Sequence, residues 1–431
     1  MRRLLTGSLA LLCALLATPA VGQTPAAAAP PAQPIRQVDF DAAVKQAIER
    51  NPSVAAAATS IDRAEALLQG TRSAIRPTVS GSIASTTLNS SRGFEGTVTQ
   101  PQTQATFGVT AAVPVLAPSR WASVNQARDQ VEVSRFSAAE VQQQIGVAAA
   151  QAYLSVIAVK RQVEVNEQAL ESARAHLDYA QKRLEGGAGS RLNQLRAAQE
   201  VSSGELRIEN TRLLLRRAQE ALGVLMAENG PVDTSGEPNL ETAANIDEAA
   251  WMAARPDLRT QNAAIRANER VVGDSRFDWY PNATAAFTPV YVAPAGLFQP
   301  SRGWAFTVQF AQPIFDAGSR RSQTALRNVA LSQSKFQLTS LELQARSDVR
   351  FAQETIASAE RALTTARLAS QQANEVLRIT TSAFQVGATT NIEVIDAQRS
   401  AQDAETSAAI AQDELSRARL NLLVALGRFP R

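Results

Sequence analysis

Residues 386–399 read Val-Gly-Ala-Thr-Thr-Asn-Ile-Glu-Val-Ile-Asp-Ala-Gln-Arg. Within this segment, Gly387 interrupts the chain after a proline-free run from about 319 to 385, and a second proline-free run follows. Gly187 stands 200 residues earlier in the same setting, after a proline-free run from about 119 to 185. At 1.5 Å per residue, a helix of that length extends for about 100 Å. The sequence therefore predicts two very long helical hairpins, each of which turns at a glycine.

An internal two-fold repeat of about 200 residues organises the chain. Five pairs of landmarks recur in the same order and 199 to 204 residues apart: Pro52 and Pro256, Pro77 and Pro281, Pro114 and Pro313, Gly187 and Gly387, and Leu215 and Leu415. This period is too long for the unit of a solenoid, which has 20 to 50 residues. It indicates duplication of a whole structural half.

The repeat gives the expected domain organisation. Arg2 and Arg3 precede an apolar segment and small residues, so residues 1–22 are expected to be a signal peptide. An Ala/Pro-rich leader (23–36), a first repeat (37–232), a linker (233–246) and a second repeat (247–431) are expected to follow. Each repeat is expected to contain a helix, then strands, then a long hairpin: strands at about 77–115 and about 280–315, hairpins at 119–228 and 318–427.

The predicted strands have two chemically different faces. Large apolar residues alternate with small or polar ones, as in Trp304, Phe306, Val308 and Phe310 against Ala305, Thr307, Gln309 and Ala311. The apolar face would be the core of a soluble sheet, or it would face lipid in a transmembrane barrel. Each half offers two strands, and four strands cannot close a barrel. Either the sheet is soluble, or several chains pool their strands, and three chains would supply twelve.

The composition argues against an enzyme. The chain has one histidine, His176, expected on a polar helix face, and one cysteine, Cys13, inside the expected signal peptide. No phosphate-binding loop, metal-ligand spacing or catalytic triad is present in the sequence, so no catalytic residue, cofactor or metal ion is expected. The net charge is +3 and no basic run is present, so no nucleic-acid partner is expected.

The order of motifs resembles that of the outer-membrane factor, or TolC-like, family of efflux and secretion channels. The resemblance covers essentially the whole chain after residue 22, and residues 386–399 are its most specific part. The other motifs that carry it are Asn51-Pro52-Ser53-Val54, Ala254-Arg255-Pro256-Asp257-Leu258, Gln312-Pro313-Ile314-Phe315-Asp316-Ala317-Gly318 and Leu423-Val424-Ala425-Leu426-Gly427.

This resemblance implies a mixed α/β membrane protein that assembles as a homotrimer. Four strands per chain would form one twelve-stranded β-barrel in the lipid of the outer membrane, continuous with a long α-helical barrel in the periplasm. The implied function is passive export, as the outer-membrane duct of a tripartite efflux system with a periplasmic adaptor and an inner-membrane pump. Type I protein secretion is the first alternative, and a soluble periplasmic coiled-coil scaffold is the second.

The resemblance also assigns roles to residues at the hairpin turns. Glu393 and Asp396 match positions where the family places pore-facing acids, and Asn193 and Arg196 occupy these positions in the first half. We hypothesise that Arg196 pairs with Asp396 on a neighbouring hairpin and holds the tip closed. The alternative is that Glu393 and Asp396 are acids favoured by a helix N-terminus. Adaptor contact, or simple turn chemistry, is expected of the remaining tip residues: Gly187, Ser190, Arg191, Gly387, Thr389 and Thr390.

Overall fold

The structure is a computed structural model, and it describes residues 35–240 and 247–429. The expected signal peptide (1–22), nearly all of the leader and the second part of the linker lie outside the described residues. From Arg36 onward the described chain forms one compact unit, in which helices predominate. None of the helices in the described ranges combines the length and the apolar character that crossing a bilayer requires.

Helices and strands alternate in blocks along the described chain. The helices are α1 (Phe40–Arg50), α2 (Pro52–Ser73), α3 (Pro118–Glu185), α4 (Arg191–Leu225), α5 (Glu248–Ala254), α6 (Pro256–Asp274), α7 (Ser319–Gln385) and α8 (Asn391–Ala425). The strands are β1 (Arg36–Val38), β2 (Thr78–Thr87), β3 (Arg92–Phe94), β4 (Thr97–Gln100), β5 (Thr103–Leu116), β6 (Val232–Thr234), β7 (Asn282–Ala293) and β8 (Arg302–Ala311). A short 3-10 helix covers Ser275–Trp279.

Two long helical hairpins, α3–α4 and α7–α8, dominate the chain. α3 has 68 residues and α7 has 67, so each extends for about 100 Å. Small residues allow close approach of the helices: a Cβ added at Gly204 of α4 would lie 3.1 Å from Leu170 of α3. The hairpins also contact each other, because α8 packs along α3.

The main apolar core lies where both hairpins meet α1. Tyr153 on α3, Leu222 on α4 and Leu420 on α8 are fully buried there, together with Met226. The ring of Phe40 on α1 packs against Tyr153 with centroids 5.3 Å apart. The Tyr153 hydroxyl donates a hydrogen bond to the carbonyl of Gly236 at 2.8 Å, so the polar end of this buried ring is satisfied.

Several elements differ from the sequence expectations. The single helix expected before the strands of the first repeat is broken into α1 and α2 at Asn51, because Pro52 cannot donate a backbone hydrogen bond and begins a new helix. Asn51 caps α2 by accepting from the backbone N–H of Ser53 at 2.9 Å. Two short strands at the boundaries of the first repeat were not expected: β1 begins it, β6 ends it, and the two pair in parallel. A short hairpin, β3–β4, lies between β2 and β5.

The four remaining strands form one antiparallel sheet in the order β2-β5-β7-β8. Both sequence halves contribute two neighbouring strands, and β5 and β7 join the halves at the centre. The register places Ile83 opposite Phe107, Phe107 opposite Tyr291, and Phe287 opposite Phe306. The sheet therefore ends on β2 at one edge and on β8 at the other.

Candidate functional site: a two-faced sheet and the helical tips

All of the aromatic side chains of the four strands, and most of the large aliphatic ones, lie on one face of the sheet; Val290 and Val292 lie on the other. Residues that are directly opposite in an antiparallel pair share a face, so the register assigns the faces across the whole sheet. The first of these faces is exposed, with side chains between 43% and 77% accessible: Val79, Ile83, Phe107, Val109, Phe287, Tyr291, Trp304, Phe306, Val308 and Phe310. The predicted alternation is thus confirmed, and the apolar face is not a buried core in the described chain.

The opposite face of the sheet is mostly small and polar. Thr110 and Thr288 lie side by side on the two central strands, with their hydroxyl oxygens 3.5 Å apart. The register adds further members to this face: Ser80, Ser82, Thr106, Thr284, Thr307 and Gln309. Every residue of the two edge strands, β2 and β8, is exposed. A sheet with one exposed apolar face and one exposed polar face is suited to separate lipid from water.

The motif at residues 312–318 forms the turn from β8 into α7. The backbone enters the left-handed region at Ala317 (φ 51°) and Gly318 (φ 91°), just before the first residue of the helix. The carboxylate of Asp316 accepts from the backbone N–H groups of Gly318 and Arg320 and from the Arg320 guanidinium at 2.7 Å. These bonds, led by the guanidinium, lower the pKa of Asp316 to about 2. The carboxylate therefore fixes the direction in which α7 leaves the sheet.

Both hairpins turn at the glycines that the sequence indicates. Gly187 and Gly387 have φ of 74° and 81°, the left-handed region in which glycine carries no steric penalty. In each turn the residue after the glycine donates its backbone N–H back into the preceding helix, as Ala188 does to Arg183 and Ala388 to Ala383. Each long helix thus ends in a tight glycine cap, and the next helix starts four residues after the glycine.

The predicted tip residues come together around these turns. Ser190 caps α4 by accepting from the backbone N–H of Asn193, and the Arg191 guanidinium donates to the Gln194 side chain at 2.8 Å. The hydroxyls of Thr389 and Thr390 donate to the carboxylate of Glu393. A cavity of about 350 Å³ lies between the two tips, and five predicted residues line it: Asn193, Arg196, Gly387, Thr389 and Thr390.

The ion pair that joins the two hairpins near the tips is one that the sequence analysis missed. Glu200 on α4 is buried, and its carboxylate accepts from Arg399 on α8 at 2.7 Å and from Arg207 at 2.9 Å. Burial alone would raise the pKa of Glu200, but the hydrogen bonds from Arg399 and Arg207 outweigh it and lower that pKa below its ordinary value. Arg399 lies inside the quoted motif, whereas nothing in the sequence marks Glu200.

Two expected features of the tip are the Arg196–Asp396 pair and the position of His176, and only the second is decided by the described contacts. Among the described residues, neither Arg196 nor Asp396 takes part in an ion pair, so their pairing between neighbouring hairpins stays a prediction. The placement of His176 on a polar helix face is wrong. His176 is only 7% exposed, and its Nε2 lies 2.7 Å from the side-chain oxygen of Asn391. Polar residues also occur in the contacts between these hairpins, so a polar side chain does not indicate a solvent-facing position.

Comparison with known proteins places this fold and its two-faced sheet among outer-membrane proteins. The family model "Outer membrane efflux protein" matches residues 43–228 and 250–428 of this chain. The chain therefore belongs to the outer membrane efflux protein family, as the motifs suggested. It is an outer-membrane protein, and this location is incompatible with the soluble scaffold alternative.

Relatives with known names and structures agree with this assignment. The chain is 26% identical to the outer membrane protein OprJ of Pseudomonas aeruginosa, in an alignment covering 58% of this chain and 54% of OprJ. It is 25% identical to the probable efflux pump outer membrane protein TtgC of Pseudomonas putida, covering 91% of this chain and 84% of TtgC. Its fold is similar to that of the outer membrane protein VceC of Vibrio cholerae, with a TM-score of 0.75, 17% identity, and 90% and 96% of the chains covered.

The contact of Glu200 with Arg399 yields a stability prediction. Replacing Glu200 with Gln leaves Arg399 and Arg207 without their carboxylate and buries a neutral amide in its place. We expect the free energy of unfolding to fall by about 1–2 kcal/mol, because both guanidinium groups remain partly hydrated. Thermal unfolding of the full chain in detergent, followed by circular dichroism, measures this change.

Glu205→Gln is the matched control, because its pair with Arg174 is about half exposed on both sides. It should change stability by less than about 0.5 kcal/mol. The lowered pKa of Glu200 means that its contribution is complete above its ordinary pKa of 4.5 and is lost as the pH falls through the lowered value. Equal effects of both substitutions at pH 7 would show that the buried pair adds nothing beyond an exposed one.

Proposed function

We propose that this chain is the outer-membrane duct of a tripartite efflux system. Three copies would form a passive pore that receives its substrate from an inner-membrane pump through a periplasmic adaptor. One observation carries the proposal: the four-stranded sheet exposes an apolar, aromatic face and ends on two edge strands whose outer sides pair with nothing in the described chain.

The sheet edges support a trimer. An unpaired strand edge cannot be exposed to lipid, because its N–H and C=O groups have no water to bond with there. Pairing β8 of one chain with β2 of the next satisfies both edges, and closure then requires several copies. Three copies give twelve strands, within the range of known outer-membrane barrels. The apolar face would then contact lipid, and the face with Thr110 and Thr288 would line the pore.

The long hairpins would continue the pore into the periplasm. α3 directly follows β5, and α7 follows β8 through the turn at Asp316, so the helices emerge from the same end of the sheet. Their tips carry the predicted gate and adaptor residues. In this arrangement Glu393 and Asp396 of three chains would give a ring of six carboxylates, which favours cations.

The proposed duct is compatible with more than one class of exported substrate. OprJ and TtgC carry names of efflux or outer-membrane proteins, and neither name fixes what this chain exports. Drug or metal efflux through a proton-driven pump is the leading version. Type I protein secretion through an ATP-driven exporter would use the same duct. Cross-linking in cells from a cysteine placed at Thr389, with the captured adaptor identified by mass spectrometry, distinguishes the two.

Cysteine cross-linking tests the trimer. With Cys13 changed to Ser, Ser82→Cys on β2 is combined in turn with Cys at Ala305, Thr307 or Gln309 on β8. We expect at least one pair to form a disulfide between chains, because β2 and β8 meet only in the closed assembly. Oxidation should produce a ladder on denaturing gels that stops at three chains.

The control pair for this experiment is Thr110→Cys with Thr288→Cys, whose positions already adjoin within one chain. It should cross-link internally and migrate as a monomer. A ladder that continues past three chains, or an absence of intermolecular product at all three β8 positions, contradicts the trimer.

The acidic ring predicts ion selectivity. Replacing Glu393 with Gln and Asp396 with Asn together should reduce cation selectivity of the reconstituted channel, because six negative charges leave the narrow end of the pore. The reversal potential in a KCl gradient measures this selectivity. Glu220→Gln, an exposed acid on α4 far from the tip, should leave it unchanged. An unchanged reversal potential in the double variant would show that Glu393 and Asp396 do not set the ion selectivity and are only acids favoured by the N-terminus of α8.

The pairing of Arg196 with Asp396 between neighbouring hairpins also stays a proposal. One such pair stabilises by at most about 1 kcal/mol, but three together can bias a two-state gate. Arg196→Ala should therefore raise the open probability in planar bilayers. Arg191→Ala, which removes an arginine bonded only within its own turn, is the control. Unchanged conductance in Arg196→Ala rules the pair out as a gate element.

A further inference from the structure

The single histidine of the chain connects three helices near the tip. The imidazole of His176 on α3 lies with its Nε2 2.7 Å from the side-chain oxygen of Asn391, the first residue of α8. Its ring also packs against Phe384 on α7, with centroids 5.4 Å apart. His176 and Asn391 are 7% and 3% exposed, so this link is shielded from water. It holds the start of α8 against α3, directly behind the turn at Gly387.

The hydrogen bond selects one tautomer of the neutral imidazole. An amide oxygen only accepts hydrogen bonds, so Nε2 carries the hydrogen and Nδ1 keeps a free lone pair. In the described residues, Asn391 is the only hydrogen-bond partner of the imidazole. The amide nitrogen of Asn391 is buried without a partner. The His176 imidazole and the Asn391 side-chain amide therefore bond only to each other among the described residues, and no other described hydrogen bond replaces this one if it breaks.

The surroundings of His176 are aromatic. Phe384 also contacts Tyr179, with ring centroids 5.7 Å apart. The Arg183 guanidinium lies 5.6 Å from the centroid of Phe384, so a cation already occupies the other side of this cluster. Burial lowers the pKa of His176 below its ordinary value of 6.5, and the hydrogen bond with Asn391 opposes this only in part. The imidazole is therefore neutral at pH 7.

Neighbouring charges offer no counter-ion to a protonated His176. The charged groups at this level include Arg174, Asp178, Lys182 and Arg183 on α3, Arg196 and Glu200 on α4, Glu375 and Arg378 on α7, and Glu393, Asp396 and Arg399 on α8. Asp178 is bound by Lys182 at 2.6 Å, and Arg174 pairs with Glu205 at 2.8 Å. Glu200 is bound by Arg207 and Arg399, and Glu375 is bound by Arg378 at 2.6 Å. Within the part of the chain that is described, none of these carboxylates pairs with His176.

We propose that His176 is the proton-sensing residue of the helical tip. In its neutral form it holds the first turn of α8 against α3, and proton uptake from the periplasm releases that turn and favours the open channel. The inference rests on the proposed channel function. A solvent proton binds to Nδ1 and produces an imidazolium. This cation is buried beside Phe384, so separation of α8 from α3, which admits water, becomes favourable.

The direction of the pH dependence follows from this burial. A histidine that is neutral when packed stabilises the packed state fully above its unperturbed pKa, and this contribution is lost as the pH falls below that value. The closed tip should therefore be most stable near pH 7 to 8 and weaken as the pH falls from about 6.5.

Bilayer recordings of the full chain between pH 7.5 and pH 5 test this proposal. We expect the open probability of the native channel to rise several-fold over this range. His176→Gln keeps an N–H donor for Asn391 but does not titrate here, so it should remain closed at both pH values. Asn391→Ala, which removes the acceptor, should raise the open probability already at pH 7.5. Titration of the single imidazole by NMR in the same detergent-solubilised protein should give a midpoint below 6.5.

The possible results separate this inference from the proposed function. A conductance that does not change with pH, or an equal pH response in the native chain and in His176→Gln, overturns the role of His176 without contradicting the channel function. In the second case the tip carboxylates sense the pH instead. An imidazole that titrates at 6.5 or above also overturns the inference. The absence of conductance at every pH contradicts the channel function itself, and the inference with it.

Discussion

Backbone hydrogen bonding at the edges of the four-stranded sheet constrains the rest of this molecule. Within the described ranges, β2 and β8 each present one unpaired side, and the apolar side chains on these strands are exposed. In lipid, such an edge has to be paired, so the sheet requires partners. Symmetric copies are the simplest partners, because one edge of each chain then completes the other edge of its neighbour. In the proposed assembly, the chemistry of the two faces determines which side would contact lipid.

The sheet determines where the long hairpins begin. α3 and α7 follow β5 and β8 after short turns, and the carboxylate of Asp316 directs one of these turns through its bonds to Gly318 and Arg320. Helices of about 100 Å have no globular core of their own over most of their length. Close packing at small residues such as Gly204 and isolated polar links therefore stabilise them. This explains why buried Glu200 and His176 occur within a coiled-coil region.

Local patterns were sufficient to predict the strands of the four-stranded sheet, the long helices and the turning glycines. The alternation around Trp304 to Phe310 has a period of two, and the proline-free runs have clear ends at Gly187 and Gly387. Contacts between distant segments were not predictable in this way. β1 pairs with β6 across nearly 200 residues, and three-residue strands carry no periodic signal. The break at Pro52 was detectable, since proline lacks the N–H that a helix interior requires.

The position of His176 shows why helix faces were harder to predict than helix ends. α3 packs against α2, α6, α4 and α8 at different levels, so its buried side changes along its length and no single apolar stripe marks it. The burial of Glu200 was not predictable for the same reason, because Glu200 lies where α4 contacts α8 near the tip. In both cases the partner lies in the other half of the chain, and sequence spacing alone does not bring them together.

The two polar links at the tip differ in the acidity at which they fail. Arg399 and Arg207 keep the pKa of Glu200 below its ordinary value, so this ion pair persists until the medium is strongly acidic. In the proposed mechanism, the link through His176 depends on a neutral imidazole, whose pKa burial lowers below its ordinary value, and it weakens only as the pH falls through that lowered range. Over the interval between them, only the start of α8 is released, while Arg399 still holds the helix two turns further on. The order of the two links along α8 therefore favours a limited opening at the tip over separation of the hairpins.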